Sequence, residues 1–281
     1  MTWQPDIETY HADDATGSTM LSVFRESPGL YHGRYITGEI LPPAMGKPAN
    51  LGSLIHAHLE GETIQPAPVL KRNAKAFKEC RAEHGRLACT KPEAEIVLGA
   101  TLALMNPGTP MAKLAKWLLI DCPGKREYSH RWKHPSGEVL KCRYDVLPDQ
   151  GQGSPRVEHE FVDLKFVGEC KFPAFQRISA QFGRHCQAAL YSHGYQDLRG
   201  EWPVVTYVII GNAPPFPIKV CTLSERFIEI GLDQIQADLA ALAECRKSGK
   251  WFDAEELEAE TVPELEPPHW LARQHEERME L

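Results

Sequence analysis

Two aspartates and a lysine in the middle of the chain have the types and spacing to hydrolyse a phosphodiester. Asp145 falls in Cys-Arg-Tyr-Asp-Val, and Asp163 and Lys165 fall in Phe-Val-Asp-Leu-Lys-Phe. Side chains two apart on a strand share a face, so Asp163 and Lys165 point the same way, and Asp145 joins them if the two segments pair. Carboxylates a few ångströms apart repel unless a divalent cation holds them. Oxygen ligands with an open position suit Mg²⁺, with Mn²⁺ as a substitute. A lysine beside such a pair can orient an attacking water whose pKa the cation lowers. Asp-x-Lys is also the pattern of an ordinary ion pair on a strand edge, so the surrounding residues decide the reading.

Gln187 and Tyr191 lie four apart, on one face of the helix that follows the Lys165 strand. They either reach the same site or are one exposed and one core residue. His56 and His58 lie in Leu-Gly-Ser-Leu-Ile-His-Ala-His-Leu-Glu, with His58 on the apolar side and His56 facing elsewhere. Spacing of i,i+2 on a helix points the two imidazoles apart, which argues against a His56/His58/Glu60 zinc site. Glu127 opens a strand.

The elements that must position these residues follow from periodicity. Apolar residues at three-to-four spacing predict a helix over 50–60, with Leu51, Leu54, Ile55 and Leu59 on its buried side. A short helix ends at Ser27-Pro28-Gly29, and further helices are expected over 74–84, 92–105 and 110–118. Period-two stretches over 127–134 and 138–147 flank Pro135-Ser136-Gly137 and read as a β-hairpin, followed by a strand over 156–166. One long helix over 173–194, strands over 202–211 and 218–223, and a last helix over 225–248 complete the order. This predicts an α/β unit spanning 1–252: a mainly helical part (1–120) and a mixed central sheet flanked by helices (121–252). An acidic extension follows over 253–281.

Length and composition agree with a globular chain. The 281 residues, 42% hydrophobic and 25% charged, exclude a disordered, collagenous or coiled-coil protein. No apolar run is long enough to cross a membrane and no signal peptide is visible, so a cytoplasmic protein is expected. The eight cysteines are scattered without a CxxC pair, which fits reduced thiols rather than a disulfide framework or zinc site. The net charge of −7 hides an uneven distribution: residues 253–281 carry −8 and residues 1–252 carry +1. Residues 71–86 sum to +4 and 112–143 to +5, so an anionic polymer has a possible track. Lys71, Arg72, Lys75, Lys78 and Arg143 are the candidate contacts.

Taken in order, Leu51-Gly52-x-x-x-His56, Glu127, Arg143-x-Asp145, Asp163-x-Lys165 and Gln187-x-x-x-Tyr191 resemble the RecB-type branch of the PD-(D/E)xK nuclease superfamily. Within it the chain is most similar to the RecE-type exonucleases, the exonuclease VIII nuclease domain. The likeness extends to Tyr10-His11, Ser27-Pro28, the segment from His185 to Tyr195, Gly249-Lys-Trp251 and Pro268-His-Trp270. The resemblance implies an α/β fold and a Mg²⁺-dependent exonuclease that resects linear double-stranded DNA from 5′ to 3′. It implies that Asp145, Asp163 and the Leu164 carbonyl bind metal, and that Lys165 positions the water. It also implies that His56 approaches the metal or scissile phosphate, that Gln187 and Tyr191 brace the site, and that Glu127 assists through water. A ring-shaped homo-oligomer and a single-strand annealing recombinase are the implied partners. The cysteine spacing of the iron–sulfur members is absent, so no cluster is expected. The chain departs from the pattern at Tyr144, where proline is usual, and at Phe166, where threonine is common. An endonuclease on the same fold and a non-catalytic DNA-binding scaffold are the alternatives.

Overall fold

The turn at Pro135-Ser136-Gly137 joins β3 (Gly124–Lys133) and β4 (Val139–Pro148), the long hairpin around which the rest of the protein is built. The computed structural model describes residues 3–41, 47–252, 266–270 and 273. Most of the acidic extension and the loop at 42–46 therefore lie outside the described residues. Before the hairpin come two short strands, β1 (Gln65–Ala67) and β2 (Ala88–Thr90), paired in parallel. After it come β5 (Glu160–Val167), β6 (Val204–Gly211) and β7 (Ile218–Thr222). The main sheet runs β3-β4-β5-β6-β7, with β5 and β6 parallel and the other neighbours antiparallel.

Helices cover both faces, each held by its own apolar core. On one face lie α2 (Ser18–Glu26), α9 (Arg184–Arg199) and α10 (Glu225–Ser248), which pack Phe24, Leu190 and Leu239 against Leu140, Tyr144, Phe161 and Tyr207. On the other lie α4 (Lys47–Leu59), α6 (Lys91–Met105) and α7 (Pro110–Lys116), with Leu54, Val97 and Ala115 against Val146, Val162, Leu164 and Val208. Sheets that are sheathed on both sides tolerate near-continuous apolar strands, as in Val205–Ile210 of β6. Among the described residues the other α-helices are α1 (Ile7–Ala12), α3 (Pro28–Tyr31), α5 (Lys75–His84) and α8 (Phe172–Gln181), with shorter helical turns at His32–Ile36, Gly85–Leu87 and Trp117–Asp121.

Some expected elements come out differently, for local reasons. Ser27-Pro28-Gly29 does not merely stop α2. Ser27 accepts from the Leu30 N–H, and Pro28 sits in the first turn of α3, where its missing N–H costs nothing. The helix expected over 173–194 breaks at Phe182–Gly183, because Gly183 adopts a left-handed conformation (φ 62°) between α8 and α9. The strand expected from 156 starts at Glu160, and Arg156 before it also has a positive φ.

Tyr144 explains itself in this setting. It is fully buried, its ring lies 5.2 Å from Phe161 and 5.6 Å from Tyr191, and its hydroxyl donates to the Tyr191 carbonyl at 2.9 Å. It therefore ties β4 to α9 just before Asp145. Tyr144→Phe should lower stability by about 1 kcal/mol in urea denaturation, the net worth of one neutral hydrogen bond. A variant as stable as the wild type would show that the hydroxyl is idle.

Candidate active site

The central side chains gather where the β3–β4 hairpin loses its regular pleat. Along an undisturbed strand, residues two apart face the same way. Tyr128 and Tyr144 enter the α9-side core, yet Val146 enters the α4-side core and Arg126 bonds to carbonyls on that same side. Both strands thus reverse phase between these pairs, at the facing residues Glu127 and Asp145, which are missing from an otherwise continuous register. Glu127 has φ 45°, a left-handed conformation uncommon for a side chain of its size. The kink aims Glu127 and Asp145 at helix α4.

Helix α4 answers with His56. Its Nδ1 lies 3.4 Å from Glu127 Oε1 and its Nε2 lies 3.7 Å from Asp145 Oδ2. Arg143 takes the other oxygen of Glu127 at 2.8 Å, and Asp145 accepts the Leu164 N–H at 2.6 Å. In an extended strand the N–H and C=O of one residue point to the same side, so the Leu164 carbonyl also faces β4. Glu60, just past the end of α4, completes the acidic group. A cleft of about 420 Å³ opens beside these residues, with Leu59, Leu119 and Val146 in its walls.

On the α9 side of β5, Lys165 is held by three acceptors. Its Nζ lies 2.7 and 2.8 Å from the two oxygens of Asp163 and 3.0 Å from Gln187 Oε1, and it sits over the Tyr207 ring at 5.2 Å. Tyr191 lies one turn beyond Gln187 and bonds to it. Asp163 is buried, at 4% exposure, so this ammonium is its compensating charge.

The electrostatics describe crowded carboxylates. Burial pushes Asp145 well above the usual carboxylate range, and Asp163 and Glu127 add to the rise. Burial likewise raises Glu60, helped by its hydrogen bond to Glu127. Glu127 is held low in spite of burial, by bonds from His56, Glu60 and Arg143. Burial pulls His56 down, but the Asp145 and Glu127 carboxylates outweigh it and lift the imidazole to about 9. Donor atoms of His56, Glu127 and Asp145 all lie within 4.8 Å of one another. Hard oxygen donors with one imidazole, crowded at this separation, fit a divalent cation, which would relieve their mutual repulsion.

Residues 34–260 match the family described as a PDDEXK-like domain of unknown function (DUF3799). The chain belongs to this PDDEXK-like family. No curated protein matches it. Its fold is similar to the crystal structure of a "Putative exonuclease" from Eubacterium rectale. The TM-score is 0.63 over 96% of this chain and 98% of that one, at 12% identity, a level that speaks for the fold alone. The mixed sheet with helices on both faces is accordingly a PDDEXK-like nuclease fold.

Within the PDDEXK-like site, the sequence-predicted residues fall into two adjoining groups rather than one. Asp145, His56, Glu127 and the Leu164 backbone meet on the α4 side, and Asp163, Lys165, Gln187 and Tyr191 meet on the α9 side. Alternation alone aligned Asp145 with Asp163 and Lys165; the kink at Glu127 redirects it. Arg143 is engaged internally by Glu127 and by the Pro5 carbonyl at 3.0 Å. Arg72 pairs with Glu93 at 2.8 Å, Lys75 lies 3.7 Å from Glu79 on an open surface, and Lys78 is exposed. Lys71 lines a separate groove with Arg72. Sequence reasoning passed over Glu60 and Arg126 as members of the cleft. The i,i+4 spacing from His56 was the available signal for Glu60. Arg126 offered none, because the phase reversal that turns it inward leaves no mark in residue types.

Proposed function

We propose that this protein is a divalent-metal-dependent deoxyribonuclease that digests linear duplex DNA from 5′ to 3′, leaving a 3′ single strand for phage-type homologous recombination. The observation that carries hydrolysis is the meeting of the His56–Glu127–Asp145 donor set with the Asp163–Lys165–Gln187 row at one kink in the sheet. The exonuclease reading is supported by the RecE-type order of motifs and by the name of the Eubacterium rectale protein of similar fold. Asp145, Asp163 and His56 with the Leu164 carbonyl would hold Mg²⁺ or Mn²⁺, and Glu127 would hold it directly or through water. The bound cation would supply a water of lowered pKa and positive charge for the phosphate.

The chain's own residues do the rest. Lys165, fixed by three acceptors, orients the attacking water and offsets charge building on the phosphate oxygens. Gln187 sets the direction of that ammonium and Tyr191 supports Gln187. His56, Glu60 and Arg143 together hold the pKa of Glu127 low, and Arg143 fixes one of its carboxylate oxygens. A ring-shaped homo-oligomer and a single-strand annealing recombinase as partner belong to the same reading and rest on the RecE-type resemblance. A cytoplasmic location is proposed from the scattered cysteines.

Linear and closed circular plasmid incubated with Mg²⁺ test it. Linear DNA should disappear, circles should survive, and EDTA should stop all digestion. Cutting of closed circles would overturn the exonuclease reading. Separate 5′ and 3′ end labels report polarity.

A further inference from the structure

The cleft beside the metal-ligand set contains one guanidinium, and its setting resembles a seat more than a surface charge. Arg126 Nε donates to the Leu119 carbonyl at 3.2 Å, and Nη2 donates to Cys122 at 3.0 Å and Ile120 at 3.4 Å. These carbonyls fix the plane of the fork, while Nη1 has no protein partner among the described residues. No carboxylate pairs with Arg126 among them either, although Glu60, Glu127 and Asp145 line the same cleft. Arg143, the other guanidinium nearby, is spent on Glu127 and Pro5. Leu59, Leu119 and Val146 supply apolar wall beside Arg126, Val146 as its cross-strand partner. A pocket of this volume whose lining is half apolar and half polar, with one oriented cation, suits a small, half-polar ligand. The remaining Nη1, held in a fixed plane, can offer a charge-assisted hydrogen bond to a phosphate oxygen.

We infer that this cleft seats one nucleotide of the DNA strand next to the scissile bond, with Arg126 gripping its phosphate and the Leu59–Leu119–Val146 wall covering its sugar and base. The inference rests on the nuclease reading and adds to it the residue that holds the substrate's strand in register. It also assigns Leu119 and Ile120 a purpose: the wide helical turn Trp117–Asp121 presents both the apolar wall and the carbonyls that hold Arg126.

Titration of the full chain with deoxyadenosine monophosphate and, separately, inorganic phosphate, in Mg²⁺ and without DNA, tests this. The nucleotide should bind at least tenfold more tightly than inorganic phosphate. Arg126→Gln should weaken it roughly ten- to a hundredfold, the span of a lost charge-assisted bond. Arg126→Lys, which keeps the charge and loses the fork, should fall between the two. Equal affinity for nucleotide and inorganic phosphate, or unchanged nucleotide affinity in both variants, would overturn the inference. Arg126-dependent nucleotide binding in a protein that cuts no DNA would fault the nuclease reading instead, so the two failures are distinguishable.

Discussion

Lys165→Ala should slow DNA hydrolysis roughly 10² to 10³-fold in single-turnover assays, the usual loss when one preorganised donor to developing charge is removed. DNA binding, measured by fluorescence anisotropy, should persist. The substitution also leaves the Asp163 carboxylate buried without its counter-charge, an error that costs about 3–5 kcal/mol in other buried pairs. Stability and chemistry would then fall together and hide one another. The double variant Asp163→Asn/Lys165→Ala isolates the stability part: neutralising the aspartate should restore most of the melting temperature. The lysine's part in chemistry is read from Lys165→Ala alone at a temperature where it is folded, because Asp163 is itself a proposed metal ligand. Lys165→Arg should also fail, because three acceptors within 3.0 Å of Nζ enclose a compact ammonium rather than a planar fork. Wild-type rates in Lys165→Ala would show that the α9-side group has no part in catalysis.

The second large effect lies in a helix–helix contact. Gly231 sits on α10 where that helix crosses α9, and a Cβ built there would stand 2.7 Å from the His185 carbonyl carbon and 2.8 Å from Ala189 Cβ. Backbone cannot step aside as a flexible side chain can, so Gly231→Ala must push the two helices apart. Overpacking of this kind typically costs 1–3 kcal/mol, and a backbone clash belongs at the upper end. A fall in Tm of roughly 5–10 °C is expected for a chain of this size. The separation would shift α9, and with it Gln187 two residues from the point of contact, so the variant should also lose part of its rate at temperatures where it remains folded. A melting curve superimposable on the wild type would mean that α10 is free to slide.

Much of this arrangement was legible in residue types. The Asp163-x-Lys165 pair obeys strand alternation, Gln187 and Tyr191 obey helical spacing, and the strongly apolar run of β6 identified itself. Asp145 was legible as a site residue but not in its bearing, since no pattern of residue types announces that a hairpin will reverse phase. From its residue type alone Glu127 read as a strand opener, with a metal role only through the resemblance, because a left-handed φ at a glutamate depends on partners, His56 and Arg143, that are distant in sequence. The break at Gly183 was hidden for a related reason. A glycine inside a periodic stretch is compatible with both a continuous helix and a corner, and tertiary packing of α8 and α9 chose the corner.

The kink at Glu127 and Asp145 gives the hairpin two allegiances. Toward the turn, Tyr128, Leu140, Cys142 and Tyr144 face the core under α9; past the kink, Val146 turns to the core under α4 and Leu147 to the core under α9. The proposed catalytic geometry therefore draws on both cores, and neither owns it. Loosening either half would pull one set of ligands out of range while the other stayed in place, so activity should be lost well before the chain as a whole gives way. If the proposed function is right, a site assembled on such a seam works only when both cores are intact, and a partly folded chain would not cut DNA.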